Sequence, residues 1–307
     1  MKNIKIRTDL ALEARESFPE DDVEIKGVIL KEDFDEKNKI RVSTVEIKNE
    51  KAAKAMDKPV GSYITIEAEE LSQLDKDYHK PVSNIIIDNL IKLAGDLSNQ
   101  DVLIVGLGNR QVTPDALGPW VVDNLFVTRH LIQEYGADFK SVNKLGNISA
   151  ISPGVMGQTG MESLEIIKGI INETQAKVLI VVDALASRSV ERLNKTIQLT
   201  DTGISPGSGI GNNRKALNEE NLGIKVIAIG VPTVVDAATI VGDSLFKYLE
   251  NSGFTEREIY TFVSEVKEKQ IHNMFVTPKD IDESLKRISY TISEALNSYF
   301  APSLNEH

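Results

Sequence analysis

Cysteine is absent from this chain, histidine occurs four times and tryptophan once. The first two scarcities narrow the chemistry. Without thiols there is no disulfide, no thiolate nucleophile and no cysteine-ligated zinc, which fits a cytoplasmic protein. The histidines His79, His130, His272 and His307 show no metal-ligand spacing such as His-Glu-x-x-His. Each reads as a surface or capping residue, with His130 in Thr128-Arg-His-Leu131 the one nearest to candidate chemistry. No Gly-x-Ser-x-Gly elbow is present, and Pro206-Gly-Ser208-Gly-Ile-Gly211 follows no strand-to-helix pattern, which argues against a serine nucleophile. No apolar run approaches the roughly 20 residues of a membrane helix. Met1-Lys-Asn-Ile-Lys5 also lacks a signal-peptide hydrophobic region, so no membrane partner is expected. Basic residues are short too: 35 Lys and Arg stand against 46 Asp and Glu, a net charge of −11 that argues against direct nucleic-acid binding.

What is present is a pattern of strands and helices. With 307 residues, 41% of them hydrophobic, the chain can build a sizeable core. Thr8 to Arg15 has a helical look with Thr8 or Asp9 as cap. Segments 40–47 and 61–68 alternate apolar and polar residues and read as strands with one wet face. A long amphipathic helix is expected within 70–99, with Ile85, Ile86, Leu90, Ile91 and Leu93 on its buried side. From about residue 100 the pattern becomes strand, loop, helix. Strands are expected at 102–107, 148–152, 178–183, 196–199 and 224–230. Helices are expected at 117–135, 161–173, 184–192, from Asp236 to about 250, and at 280–298. The near-continuous apolar strands imply a mostly parallel, doubly wound α/β sheet with helices on both faces. No repeat or low-complexity linker divides the chain. A single α/β domain, with an N-terminal β-rich embellishment over 10–99 and a core over 100–307, is the economical reading.

Two aspartates stand out against this frame. Val102-Leu-Ile-Val105 runs through Gly106-Leu-Gly-Asn109 to Val112-Thr-Pro-Asp115, and Val178-Leu-Ile-Val-Val182 runs into Asp183. Loops beyond the strand carboxyl ends form the ligand crevice of such sheets. Two carboxyls delivered there can share one proton, one acting as base and the other as acid, which suits peptide hydrolysis. Taken singly, Asp183 also reads as a helix cap and Asp115 as a turn residue after Pro114. Asn109, Thr113, Ser187 and Arg188 are polar neighbours suited to orienting the pair or holding an oxyanion, or to capping turns. Asp236 stands between helix cap and site wall. Gly106-Leu-Gly108 lacks the third glycine and the second-strand acid of a dinucleotide fold, so no cofactor is called for. Its glycines fit a tight, closely approached turn.

At these residues the chain resembles the germination protease family of spore-forming bacteria. The resemblance rests on Arg7-Thr-Asp-Leu-Ala11, Gly106-Leu-Gly-Asn109, Val112-Thr-Pro-Asp-Ala-Leu-Gly-Pro119, Thr128-Arg-His130 and Pro153-Gly-Val-Met-Gly157. It continues through Asp183-Ala-Leu-Ala186, Asp201-Thr-Gly203, Pro206-Gly-Ser-Gly209, Gly230-Val-Pro-Thr-Val-Val-Asp236 and Asn273-Met-Phe-Val-Thr-Pro278. It implies an endopeptidase, located in the forespore or spore core, that degrades small acid-soluble spore proteins during germination. It also implies a homotetramer, a core similar to hydrogenase-maturation endopeptidases, and an aspartic-type mechanism whose catalytic residues fall on Asp115 and Asp183. Finally, it implies a zymogen that cuts itself. Residues 1–9 are then a propeptide, with the cut between Asp9 and Leu10 and the N-terminus acting as a substrate mimic. The segment from Ser252 to Val263 is shorter than the insertion many members carry there.

Two other readings compete. One is a metal-dependent peptidase with Asp115 and Asp183 as oxygen ligands and His130 beside them. The other is a non-catalytic peptide- or nucleotide-binding module on an α/β scaffold.

Overall fold

The computed structural model describes residues 8–18, 26–72, 76–207, 214–255, 258–259, 262 and 274–304. Residues 1–7 of the expected propeptide, 208–211 of the glycine-rich motif, His272, Asn273 and His307 lie outside them. In chain order the elements are α1 (Ala11–Glu16), β1 (Val28–Asp35), β2 (Ile40–Ile47), α2 (Glu50–Met56), β3 (Gly61–Ala68), α3 (Lys76–Ala94) and β4 (Asp101–Gly106). There follow α4 (Leu117–Asp123), α5 (Arg129–Val142), β5 (Asn147–Ile151), α6 (Met156–Thr159), α7 (Ser163–Thr174), β6 (Val178–Ser187) and β7 (Thr196–Thr200). The last are α8 (Glu219–Leu222), β8 (Lys225–Asp236), α9 (Ala237–Asn251), β9 (Phe275–Val276) and α10 (Ile281–Phe300).

The described strands join one sheet in the order β1-β2-β3-β7-β8-β6-β4-β5, with β9 pairing β8. Strands β8, β6, β4 and β5 run parallel, as the apolar runs imply. The N-terminal strands extend this sheet antiparallel through β7. The β-rich embellishment is therefore the other half of the same sheet. Alternating residues of the central strands feed two cores. Val102, Ile104, Val178, Ile180 and Val182 pack with α3, α4 and α10. Leu103, Val105, Leu179 and Val181 pack with α7. In α10, Ile281, Leu285, Ile288, Ile292 and Leu296 recur at three- and four-residue spacing and are buried, as a helix covering a sheet requires.

Several boundaries differ from the expectations. No helix spans 184–192: β6 continues to Ser187, and a single 3₁₀ turn covers Val190–Arg192. Strand β8 likewise runs on to Asp236, past the expected end at 230, through a stretch that is β-branched except at Pro232. The expected helix 117–135 is two helices, α4 and α5, and α5 itself is interrupted at Gly136, whose φ is 83°. Strand β1 and helix α2 were not expected. β1 is an open edge exposed on both faces, so burial imprints no period on it. α2 is a short helix begun by Asn49, whose side chain accepts the Ala52 N–H at 2.9 Å. Ile91 is exposed rather than buried, while Ile86 and Leu90 form the inner face of α3. His79 is buried, not at the surface, with its Nδ1 against the Thr291 hydroxyl of α10.

Candidate active site

Strand β4 stops at Gly106, opposite Val182, and its continuation is a single hydrogen bond from the Leu107 N–H to the Val182 carbonyl at 2.8 Å. Strands β6 and β8 run on together past this level as a two-stranded ledge. Asp183 is the first residue of β6 on the ledge, paired with Gly230, and is only 6% exposed. Its carboxylate accepts the N–H of Ala184 at 2.9 Å. Burial pushes this carboxyl well above the usual carboxylate range, and the negative neighbours Asp115 and Asp9 push the same way. The Ala184 N–H and the Arg214 guanidinium oppose them.

Asp115 reaches the same cleft from β4. Gly106 and Gly118 let the strand end and α4 touch backbone to backbone: a Cβ on Gly118 would stand 2.3 Å from the Leu107 carbonyl oxygen. Between them, Thr113–Asp115 forms a 3₁₀ turn with Pro114 in its first positions. Gly108 adopts φ +112°, and a Cβ there would lie 1.9 Å from the Asp115 carbonyl oxygen, so this turn needs glycine twice over. The Asp115 carboxylate accepts the Asn109 N–H at 2.7 Å. Burial raises this carboxyl too, while the Asn109 N–H and Arg214 hold it down. Two neighbouring acids are thus tuned unequally, with Asp183 the better proton holder. That is the arrangement in which one carboxyl acts as base and the other as acid.

The cleft has a volume of about 860 Å³, and Thr8, Asp9, Lys58, Asp115, Asp183, Gln198 and Arg214 are among its walls. The N-terminal segment is bound at its edge. Asp9 donates its N–H to the Ala186 carbonyl at 2.9 Å, and its carboxylate accepts the Ala186 N–H at 2.9 Å. Lys58 Nζ donates to the Thr8 carbonyl at 3.1 Å, and burial pulls its ammonium below its usual range despite Asp9 nearby. Gln198 accepts the Ala11 N–H at 2.8 Å and donates to the Asp9 carbonyl at 3.3 Å. Behind this segment, buried Glu13 accepts the N–H groups of Arg188 (2.7 Å) and Ser189 (3.0 Å).

Of the polar neighbours proposed from sequence, Asn109 orients Asp115 through its backbone, and its side-chain oxygen accepts from Gln158 at 3.2 Å. Thr113 shapes the turn. Ser187 bonds the Ser189 carbonyl, and the Arg188 guanidinium pairs with Asp243 at 2.8 Å; neither side chain lines the cleft. Asp236 sits at the N-cap position of α9, accepting the Thr239 hydroxyl at 3.0 Å, and His130 is exposed on α5; both are outside the cleft lining. Among the described residues no group of three or more His, Cys, Asp or Glu is placed to hold a metal ion. Arg214, Lys58 and Gln198 were missed. Each is an isolated polar residue in its own segment, and only the fold brings them to Asp183.

Residues 5–253 match the germination protease family, a stretch that contains Asp115, Asp183 and the cleft wall apart from Phe275 and Thr277. The chain belongs to that family. Germination proteases of Caldanaerobacter subterraneus subsp. tengcongensis and Clostridium tetani are 46% and 41% identical to it, each alignment covering 98% of this chain and 96% and 97% of the relative. A Bacillus cereus germination protease is 39% identical over 97% of this chain and 94% of its own length. As a germination protease the chain is a peptide-bond hydrolase. Among solved structures, a [NiFe] hydrogenase maturation protease, HycI of Thermococcus kodakarensis KOD1, is 14% identical and covers 69% of this chain and 99% of its own, at a TM-score of 0.34. That value is too low to bear on the site. No described helix is long and apolar enough to cross a membrane.

Proposed function

We propose that this germination protease is an endopeptidase whose reacting groups are the Asp115 and Asp183 carboxyls, and that it degrades small acid-soluble spore proteins in the spore core during germination. The observation that carries the mechanism is the buried Asp183 beside the less perturbed Asp115 in one cleft. Asp115, ionised, takes a proton from water as the water oxygen bonds to the scissile carbonyl carbon. Asp183, protonated, hydrogen-bonds the carbonyl oxygen and then passes its proton to the leaving nitrogen as the C–N bond breaks. The proton left on Asp115 returns to Asp183, and the pair is ready again. The substrate assignment follows the family.

The same reading makes residues 1–9 a propeptide that the chain removes between Asp9 and Leu10. Asp9 lies within electrostatic reach of Asp183, and Thr8 and Asp9 line the cleft, which supports a blocking role. Leu10 is fully buried, so processing requires local opening of this segment first. A homotetramer fits the open edge strand β1, which exposes Ile29, Leu30 and Phe34.

Kinetics of Asp115→Asn and Asp183→Asn test the proposal. Each should lower kcat by about 10²–10⁴-fold, the loss of positioned acid–base help, in a protein that still folds. Activity of the parent should survive a chelator. Retention of more than about a hundredth of the parent kcat in either variant would rule out the dyad, and loss of activity with a chelator would favour the two aspartates as metal ligands.

A further inference from the structure

Beyond the dyad itself, the β6–β8 ledge contains an irregularity that bears on how the two aspartates are held. Leu185 pairs with Pro232, yet the next residue, Ala186, pairs with Val234. The ladder steps over Thr233, which is therefore a bulge in a parallel pair, where bulges are rare and where one re-aims a side chain. Pro232 suits this place because it has no N–H to give to a ladder. Thr233 is among the residues that line the cleft, and it is 1% exposed. Its hydroxyl donates to the carbonyl of Pro114 at 2.7 Å. Pro114 is the residue before Asp115. The other side of the bulge is fixed by Thr277, whose hydroxyl donates to the Thr233 carbonyl at 2.8 Å.

Asp183 belongs to the sheet, but Asp115 hangs on a turn reached through glycines. Within the turn, the Asn109 N–H fixes the Asp115 carboxylate only to its own loop. The bond from Thr233 instead ties the turn to β8, the strand hydrogen-bonded to β6 beside Asp183. We propose that Thr233 is the positioning residue of the aspartate pair, ejected from the ladder by the bulge so that its hydroxyl fixes the Asp115 turn against the strand pair carrying Asp183. This rests on the dyad reading above. It predicts that losing the hydroxyl lets the Asp115 carboxyl drift from its partner. Misplacement of a reacting group by about 1 Å costs on the order of 10²-fold in rate. Drift also removes part of the negative charge that helps Asp183 keep its proton, while Arg214 and Lys58 stay on the cleft wall and Asp9 leaves with the propeptide in parent and variants alike.

The test compares Thr233→Ser with Thr233→Ala. Both lose the γ-methyl and both are small enough to fold, so their difference is the hydroxyl alone; Thr233→Val adds the isosteric case. Each full chain is first left to process itself to completion, checked by mass spectrometry of its N-terminus, and then hydrolysis of a synthetic peptide of residues 4–16 is followed across pH. The Ser variant should stay near the parent. The Ala and Val variants should lose on the order of 10²-fold in kcat with KM changed by less than about threefold. Their alkaline limb should move to lower pH. Equal activity of Ala and Ser would overturn the proposal, as would a loss in Ala with both pH limbs where the parent has them. Failure of the dyad reading looks different: Asp115→Asn or Asp183→Asn would then remain active, whatever Thr233 does.

Discussion

Asp9 and Ala186 exchange two hydrogen bonds of 2.9 Å, backbone N–H to carbonyl in one direction and N–H to side-chain carboxylate in the other. This joins residue 9 to β6 three positions beyond Asp183. The N-terminus is therefore fastened to the ledge of the site it is proposed to block, and a tethered segment needs little intrinsic affinity to do so.

The fastening can be weakened without touching the aspartates. Gln198 makes two of the bonds that hold residues 9–11. Two bonds of about 0.5–1.5 kcal/mol each, lost together, raise the population of the open segment by roughly 5- to 150-fold. Gln198→Ala should accordingly speed self-processing at neutral pH by up to about that factor. Timed mass spectrometry of the N-terminus checks this. A variant that processes at the parental rate or slower would mean that Gln198 presents the bond instead of restraining it.

Arg214 lowers both members of the pair. Removing its charge makes each carboxylate harder to form, so both limbs of the pH–rate profile of Arg214→Gln should move to higher pH, with Arg214→Lys close to the parent. The measurement is kcat/KM against pH. Limbs that stay in place, or move down, would show that Arg214 does not set the charge of the pair.

Asp183 also leaves a mark on stability. A carboxyl raised in the folded state binds its proton more tightly there than in the unfolded chain. Its contribution is fully present below the unfolded-state value and is lost as pH rises through the folded one. At neutral pH the group is thus a burden, the usual cost of a tuned site. Asp183→Asn should melt higher than the parent at neutral to alkaline pH, with the gain shrinking toward zero in acid. Thermal melts across pH decide it; a variant less stable at every pH would mean that the carboxylate is a structural partner rather than a strained one.

Most of the fold was legible because burial stamps its period on sequence. The central strands are apolar throughout since both their faces are covered, and α10 repeats its apolar residues every three or four positions. Edge strand β1 carries no such stamp, and the segment 184–187 was misread as helix because Ala and Leu fit either state when the partner strand is unseen. The two aspartates were legible from strand-end loops, although Asp183 stands within a strand that outruns its neighbour. Arg214, Lys58 and Gln198 were not, for their importance comes only from where the sheet delivers them. Thr233 lay in plain sight in Val231-Pro-Thr-Val-Val235, but nothing short of the strand register marks it as the residue left out of the ladder.

The central claim is that Asp183 holds its proton beyond the pH at which Asp115 has given up its own. Carbon-13 NMR titration of labelled aspartate side chains, with Asp183→Asn to assign the signal, reads this directly. The account predicts that the Asp183 carboxyl gives up its proton well above the ordinary carboxylate range, and at lower pH once Asp115→Asn removes the neighbouring charge. An Asp183 that titrates in the ordinary carboxylate range and ignores the Asp115→Asn change would contradict it.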